Sequence, residues 1–480
     1  MTCCRWFNRP RPVLSIVALV FLASANAMAD DRDVLRDRIA SFTSAEEPMI
    51  DGAPIAALRG IATLYERRGW QPAWTDRAMV RQLYDQVRRS VEHGLNPDDF
   101  HARQIGARLQ ASAKNATYRA DTEILCTDAL ARLAVTIEFG KLDPSSLDRA
   151  WNFDRSVEGQ DVVSLFNDAL ESGNIAAALE AIEPDLVEYD RLQDALVEHL
   201  NIQARGGWPT VPEGEGLKLG STGPRVVALR ERLKVTGDLG DTGATDPAVF
   251  GEGLEAAVTR FQRRHGIDAD GKVGPRTLEE LNIPVEARID TIRANLERAR
   301  WVFRDVEDTY VIVDIAGYRL DLVENGRTVW STNVQVGKPY HATPVFKSTM
   351  KYIEFNPTWT IPPGILRRSV IPGLKNDSDY LQERGYDLLT RDGKRVDPKT
   401  VNWQALKGFP YIVRQRPGPW NALGQIKFIF PNPHFVFLHD TPSRALFDRV
   451  LTGHPRDMHR HTMDAIGRLD KVCPWLHIPV

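Results

Sequence analysis

Cysteine is scarce: four in 480 residues, at Cys3, Cys4, Cys126 and Cys473. A disulfide framework is excluded, although Cys126 and Cys473 leave room for one bridge. Charge of one sign is also missing. Sixty-one Lys and Arg stand against 64 Asp and Glu, a formal net charge of −3. That excludes the basic stripe of a dedicated nucleic-acid binder. No stretch reaches the roughly 20 apolar residues of a bilayer span. Nor is the chain poor in apolar residues, which make up 42% against 26% charged. It is a globular chain of about two to four domains, with ample length to bury cores.

The first residues form a leader. Arg5, Arg9 and Arg11 precede the apolar run Val13–Ala25, and Ala25-Asn26-Ala27 or Ala27-Met28-Ala29 supplies small residues for cleavage. This three-part pattern reads residues 1–29 as a secretory signal peptide and the rest as an exported, periplasmic protein. Left uncleaved, the same run would tether the chain to a membrane. No cysteine follows it, so a lipid anchor is not expected.

Residues 33–205 read as helical. In Ile55–Arg68 and Val80–His93 apolar residues recur at three and four, with charges between. Gly94-Leu95-Asn96-Pro97 carries the breakers that end a helix. Cys126 lies on the apolar face of Glu123–Val135 and reads as a core thiol. Gly206-Gly207-Trp208-Pro209, followed by Pro212, Gly214 and Gly216, has linker composition. Residues 214–285 then hold three short helices, Arg225–Leu233, Leu254–His265 and Thr277–Leu281, joined by glycine-bearing turns. Leu219-Gly220, Phe261-Gln262, Asp270-Gly271-Lys272-Val273-Gly274 and Thr277-Leu278 together resemble the three-helix peptidoglycan-binding domain.

Near Thr309 the period becomes that of strands. Tyr310–Ile315, Tyr318–Val323 and Thr328–Val336 are candidates, the last two joined by an Asn325-Gly326 hairpin turn. Ile426–Phe430 and Phe435–His439 follow, so this half is β-rich. It also holds three loop clusters. They are Val336-Gly337-Lys338-Pro339-Tyr340 with Thr343-Pro344, Phe355–Pro363, and Pro417–Gly424, the last followed by Leu438-His439-Asp440-Thr441-Pro442.

Taken together these clusters resemble the L,D-transpeptidase catalytic domain. The match is to a large periplasmic branch with scaffold and peptidoglycan-binding domains. The resemblance implies an α+β protein: a helical scaffold over 33–205, a peptidoglycan-binding module over 214–285 and a β-rich catalytic domain over 305–449. It implies cysteine acyl transfer on the tetrapeptide stems of peptidoglycan, with a part in wall building and cell shape. The thiolate attacks after the diamino acid, terminal D-alanine leaves, and an amine resolves the thioester. No cofactor or metal enters that chemistry. A thiol needs a nearby base, and His439 matches the family's histidine. Asn356 and Trp359 are expected to line the substrate cleft, with Asn421 and Gly424 in a flanking loop. Residues 345–415 are expected to form a lid-like insertion.

One element of the family pattern is missing. The nucleophile belongs to a Ser-x-Gly-Cys-(Ile or Val)-Arg segment, and no such segment occurs in the chain. Met458 stands where the cysteine is expected. The resemblance ends at Asp448-Arg449, leaving a divergent tail over 450–480. That tail holds His454, His459, His461 and His477, four of the eleven histidines. Three readings stay open: a catalytically dead domain, a tail created by a gene lesion, and a substitute nucleophile at Cys473. A single-base frameshift after Arg449 would not hide the motif within the tail. Cys473 and His477 have zinc-ligand spacing, but one such pair does not make a site.

Overall fold

The computed structural model describes residues 31–112, 115–147, 151–153, 161–240, 246–303, 306–337, 343–377, 379–403 and 408–442. The leader and the tail over 450–480 lie outside the described residues, as do Cys3, Cys4, Met458, Cys473 and His477. The protein is α+β. Its described residues fall into two compact units. One takes those within Met1–Arg149, Phe153–Pro209 and Asn282–Asp305; the other takes those within Ala150–Asn152, Thr210–Leu281 and Val306–Val480.

The first unit is helical. It runs α1 (31–43), strands β1 (Met49–Ile50) and β2 (Ala53–Pro54), then α2 (Leu58–Arg67), α3 (Arg77–Arg89), α4 (Ala102–Gln110), α5 (Ala116–Phe139), α6 (Val162–Ser172), α7 (Ile175–Glu180) and α8 (Val187–Ala204). Helix α5 is its axis. Asn115 caps it, accepting from the Tyr118 amide at 2.8 Å. Its face Ile124, Leu125, Cys126, Ala129, Leu130 and Leu133 is buried, so Cys126 is a core thiol. Burial pushes that thiol's pKa up, which keeps it protonated and inert.

Helix α5 also decides where α2 begins. The sequence predicts a helix from Ile55, yet α2 starts at Leu58. Buried Asp128 accepts the Ala56 and Ala57 amides at 2.9 and 2.7 Å, a cap supplied from another helix. The expected helix Val80–His93 is α3 followed by a 3₁₀ turn, Ser90–His93, which ends at Gly94 in the left-handed conformation (φ 75°).

A further helix, α12 (Val285–Val302), belongs to this unit although the second unit's three-helix module precedes it in sequence. It packs on α8. Arg300, 1% exposed, donates from Nε to the Tyr189 hydroxyl at 3.2 Å and from a guanidinium nitrogen to the His93 carbonyl.

In the second unit, α9 (Pro224–Val235), α10 (Glu252–Arg264) and α11 (Pro275–Leu281) enclose a core of Val226, Leu229, Leu233, Leu254, Val258, Phe261 and Leu281. The β-rich part of this unit opens with an antiparallel meander: β3 (Thr309–Asp314), β4 (Arg319–Glu324) and β5 (Arg327–Asn333). Asn325 and Gly326 make its turn, both with positive φ (50° and 70°), the geometry that a two-residue hairpin needs. A second sheet pairs β6 (Tyr352–Phe355), β11 (Ile426–Ile429) and β12 (Leu438–His439), with β11 central. Between them in sequence lies a four-stranded sheet, β7 (Trp359–Thr360), β10 (Ile412–Gln415), β8 (Tyr386–Leu389) and β9 (Arg395–Val396) in spatial order. Helical turns over residues 363–376 and 380–383 accompany it. Because β6 pairs with β11, the separate body begins at β7 rather than at residue 345.

The expected strand Phe435–His439 shrinks to β12. Asn432 accounts for this. Its Oδ1 accepts the His434 and Val436 amides, both at 3.1 Å, and its Nδ2 donates to the Phe430 and Val436 carbonyls at 2.9 and 2.7 Å. Those backbone groups are then unavailable to a ladder. Phe435 takes a positive φ of 55°.

Candidate active site

The sequence-predicted residues gather where β11 begins. His439 closes β12 opposite Lys427 of β11 and is exposed. Its Nδ1 lies 2.6 Å from the Asp440 carbonyl oxygen. A carbonyl only accepts, so the neutral ring carries its proton on Nδ1 and leaves Nε2 with a free lone pair. That is the form a general base requires. Lys427 directs its ammonium over the Phe437 ring, 4.0 Å from the centroid.

The next residue locks the strand end. Asp440 is 8% exposed. Its Oδ1 accepts the Thr441 amide at 2.7 Å and its Oδ2 the Gln425 amide at 3.2 Å. Its own amide donates to the Ile426 carbonyl at 3.0 Å. Gly424 sits against this carboxylate with φ 62°. The glycine is required twice there, by its left-handed backbone and by the close approach of Asp440.

Asn421 is buried, 1% exposed, and braces the loop from within. Its Nδ2 donates to the Pro357 and Arg416 carbonyls at 2.9 and 3.0 Å, and its Oδ1 accepts the Leu423 amide at 2.8 Å. The Pro357 contact ties this loop to the end of β6. Asn356, exposed and at φ 49°, donates its amide to the Gln425 carbonyl at 2.8 Å. Trp359 lies on β7, half-buried against the core of the four-stranded sheet and in register with Gln415.

Gln415 is a site-building residue that the sequence reading lacks. It is 6% exposed. Its Nε2 donates to the Arg384 and Trp420 carbonyls at 3.2 and 3.0 Å, and its Oε1 accepts the Ala422 amide at 2.9 Å. With Asn421 it holds the Gly418–Gly424 loop from both sides. Trp420 is left 77% exposed at the tip.

His439, Asn356, Asn421 and Gly424 therefore share one strand-end cluster, and Trp359 joins it through Gln415. A nucleophile is not among them. Among the described residues Cys126 is the only cysteine, buried in the helical unit. Lys338, Pro339 and Tyr340 of the first loop cluster lie outside the described residues.

Three segments of the chain match families of known proteins. Residues 308–457 match the L,D-transpeptidase catalytic domain, residues 222–281 a "Putative peptidoglycan binding domain", and residues 59–196 a scaffold domain. The catalytic-domain match thus ends immediately before Met458. A Haemophilus influenzae protein titled "Putative L,D-transpeptidase" is 36% identical over 140 residues. The aligned segment covers 29% of this chain and 28% of that relative. No helix among the described residues is long and apolar enough to cross a membrane.

Proposed function

We propose that this chain, which carries an L,D-transpeptidase catalytic domain beside peptidoglycan-binding and scaffold domains, serves the peptidoglycan wall of the periplasm and in its present sequence holds that wall without acylating it. The observation that carries this reading is an exposed base with no thiol beside it among the described residues. His439 offers a free Nε2, yet the only described cysteine is buried in the other unit. In the cross-linking chemistry of the family, a cysteine thiolate attacks a tetrapeptide stem, D-alanine leaves and a thioester forms. An amine of a second stem then takes the acyl group. The histidine removes the thiol proton and returns one to the leaving amine.

Asn356 and Trp359 would border the stem in that chemistry, while Asn421 and Gly424 fix the loop beside it. With methionine at position 458 the first bond cannot form there, because a thioether has no proton to give up. The leader pattern over residues 1–29 supports export to the compartment where this polymer lies.

A carbapenem acylates an L,D-transpeptidase cysteine covalently. The test is incubation of the full chain with one, followed by intact-mass analysis. The expected result is an unchanged mass. An adduct mapped to Cys473 would overturn the reading and make the chain an active enzyme with a relocated nucleophile.

A further inference from the structure

The segment that holds the four-stranded sheet is basic. Residues 359–416 carry eleven Lys and Arg against six Asp and Glu, a formal charge of +5 in a chain of −3. The sheet itself has two unlike faces. On one, Leu388, Val396 and Val413 pack with Val370, Leu374 and Leu381 of the helical turns. Successive strand residues point to opposite faces. The other face therefore takes Arg414, which stands opposite Thr360 of β7 and Asp387 of β8, and Arg395 of β9, which stands opposite Leu389. Arg416 extends it. Its amide donates to the Gly385 carbonyl at 2.9 Å, which carries the β8–β10 register past the strand end.

Positive charge is in excess on that face. Asp387 is the only carboxylate among its strand residues, and it serves two guanidinium groups. A terminal nitrogen of Arg395 lies 3.0 Å from Oδ2 and Arg416 Nε lies 3.8 Å from Oδ1. Arg414 has no carboxylate among the described residues; its Nε donates to Thr360 Oγ1 at 3.2 Å. The nearest carboxylates in sequence are engaged elsewhere. Asp392 pairs with Lys394 at 3.1 Å, and Asp397 accepts the Lys399 amide at 2.9 Å.

The register also spaces the cations. Leu389 stands opposite both Ile412 and Arg395, so Arg395 shares the level of Ile412. Arg395, Arg414 and Arg416 thus occupy three successive levels of one face, about 7 Å apart along the strands. An extended polypeptide presents alternate side chains at that same step. We infer that this face docks an extended acidic segment of a partner protein, whose carboxylates at alternate residues are received by Arg395, Arg414 and Arg416. The planar guanidinium fork suits a carboxylate, taking both oxygens at once. Trp403, Phe409 and Tyr411 pack with the core face instead, so the arginine face offers no aromatic anchor to a bilayer.

The test is fluorescence anisotropy of a labelled peptide of alternating Glu and Ser, titrated with the full chain at low salt. A second peptide of the same composition carries its Glu residues in one block. The alternating peptide should bind more tightly, and salt should weaken it. Arg414→Gln, which breaks no ion pair within the sheet, should weaken it about threefold. Adding Arg395→Gln and Arg416→Gln should bring the loss to roughly tenfold or more. Arg367→Gln with Arg368→Gln removes two charges from the helical turns and should leave binding as in the parent. Equal affinity for the two peptides, or an equal loss in the Arg367/Arg368 variant, would overturn the proposal in favour of net charge alone. Parent-like binding by Arg414→Gln with an unchanged melting curve would overturn it as well. So would capture by phosphatidylglycerol vesicles without binding of either peptide, which would make the face a lipid contact.

Discussion

A Cβ atom on residue 424 would lie 2.5 Å from the Asp440 carboxyl carbon. Glycine at this position lets the Asp440 carboxylate reach the Gln425 and Thr441 amides, and so sets the end of β12 on which His439 stands. Gly424→Ala adds the strain of a left-handed alanine to that collision. The expected cost is about 2–4 kcal/mol. Thermal unfolding followed by tryptophan fluorescence should show an earlier transition in the β-rich part. An unchanged transition would show that the loop yields freely to Asp440.

Asn421 gives a sharper comparison. Asn421→Ala removes three hydrogen bonds and leaves the buried Pro357 carbonyl, the part-buried Arg416 carbonyl and the Leu423 amide without this partner, at about 2–4 kcal/mol. Asn421→Asp keeps the acceptor that holds Leu423 but turns an oxygen toward the Pro357 and Arg416 carbonyls. Despite its shape it should be the worse of the two at neutral pH. Hydrogen exchange at Leu423 and Ala422 reports both. Greater protection in the aspartate variant than in the alanine variant would refute the assignment.

In the helical unit, His93 and Glu183 lie 3.4 Å apart, His93 Nε2 to Glu183 Oε1. Burial outweighs their attraction. It lowers His93 to about 4, with help from Arg300 and Arg89, and raises Glu183 to about 7, with help from Glu180 and Asp190. Arg89 and Arg300 oppose the rise of Glu183. Between those values both side chains are neutral. The folded Glu183 holds its proton more tightly than at its ordinary 4.5, so its stabilisation is full below that value and is lost as pH rises toward 7. His93 runs the other way: its share is full above 6.5 and is lost as pH falls toward 4. Glu183→Gln removes the first slope alone. The variant should gain on the order of 1–2 kcal/mol over the parent at pH 8, and nothing at pH 4. Melting curves at the two values decide it; an equal difference at both would count against a titrating Glu183.

Arg300→Ala should cost about 3 kcal/mol or more. It leaves the Tyr189 hydroxyl and the His93 carbonyl buried without this partner and opens space between α8 and α12. Denaturant unfolding monitored by far-ultraviolet circular dichroism gives the number. A loss below about 1 kcal/mol, the worth of an exposed pair, would place Arg300 in solvent instead.

What the sequence discloses depends on where the cause lies. The Asn325-Gly326 hairpin is legible because positive φ at two successive positions restricts residue type on the spot. The Asp270-Gly271 turn is legible because Gly271 alone takes a positive φ (72°), and its meaning emerges only with Gln262 beneath it. Helix starts are less visible when a distant side chain sets them, as Asp128 does for α2. Phe435–His439 alternates like a strand, yet one upstream side chain, Asn432, takes the backbone groups that a ladder would use. At the site, His439 stands out as a polar group ending an apolar run. Gln415 does not, because a glutamine after Ile-Val-Arg looks like surface until its three backbone partners are placed around it.

The pairing of Arg300 with Tyr189 spans 111 residues of chain. Helix α8 ends at Ala204 and the helix that covers it starts only at Val285, so the whole three-helix module lies between them in the chain. That module has its own core on which to settle. The helical unit is therefore closed by a segment that follows the module, and cutting the chain after the module would leave the α8 face that α12 covers open.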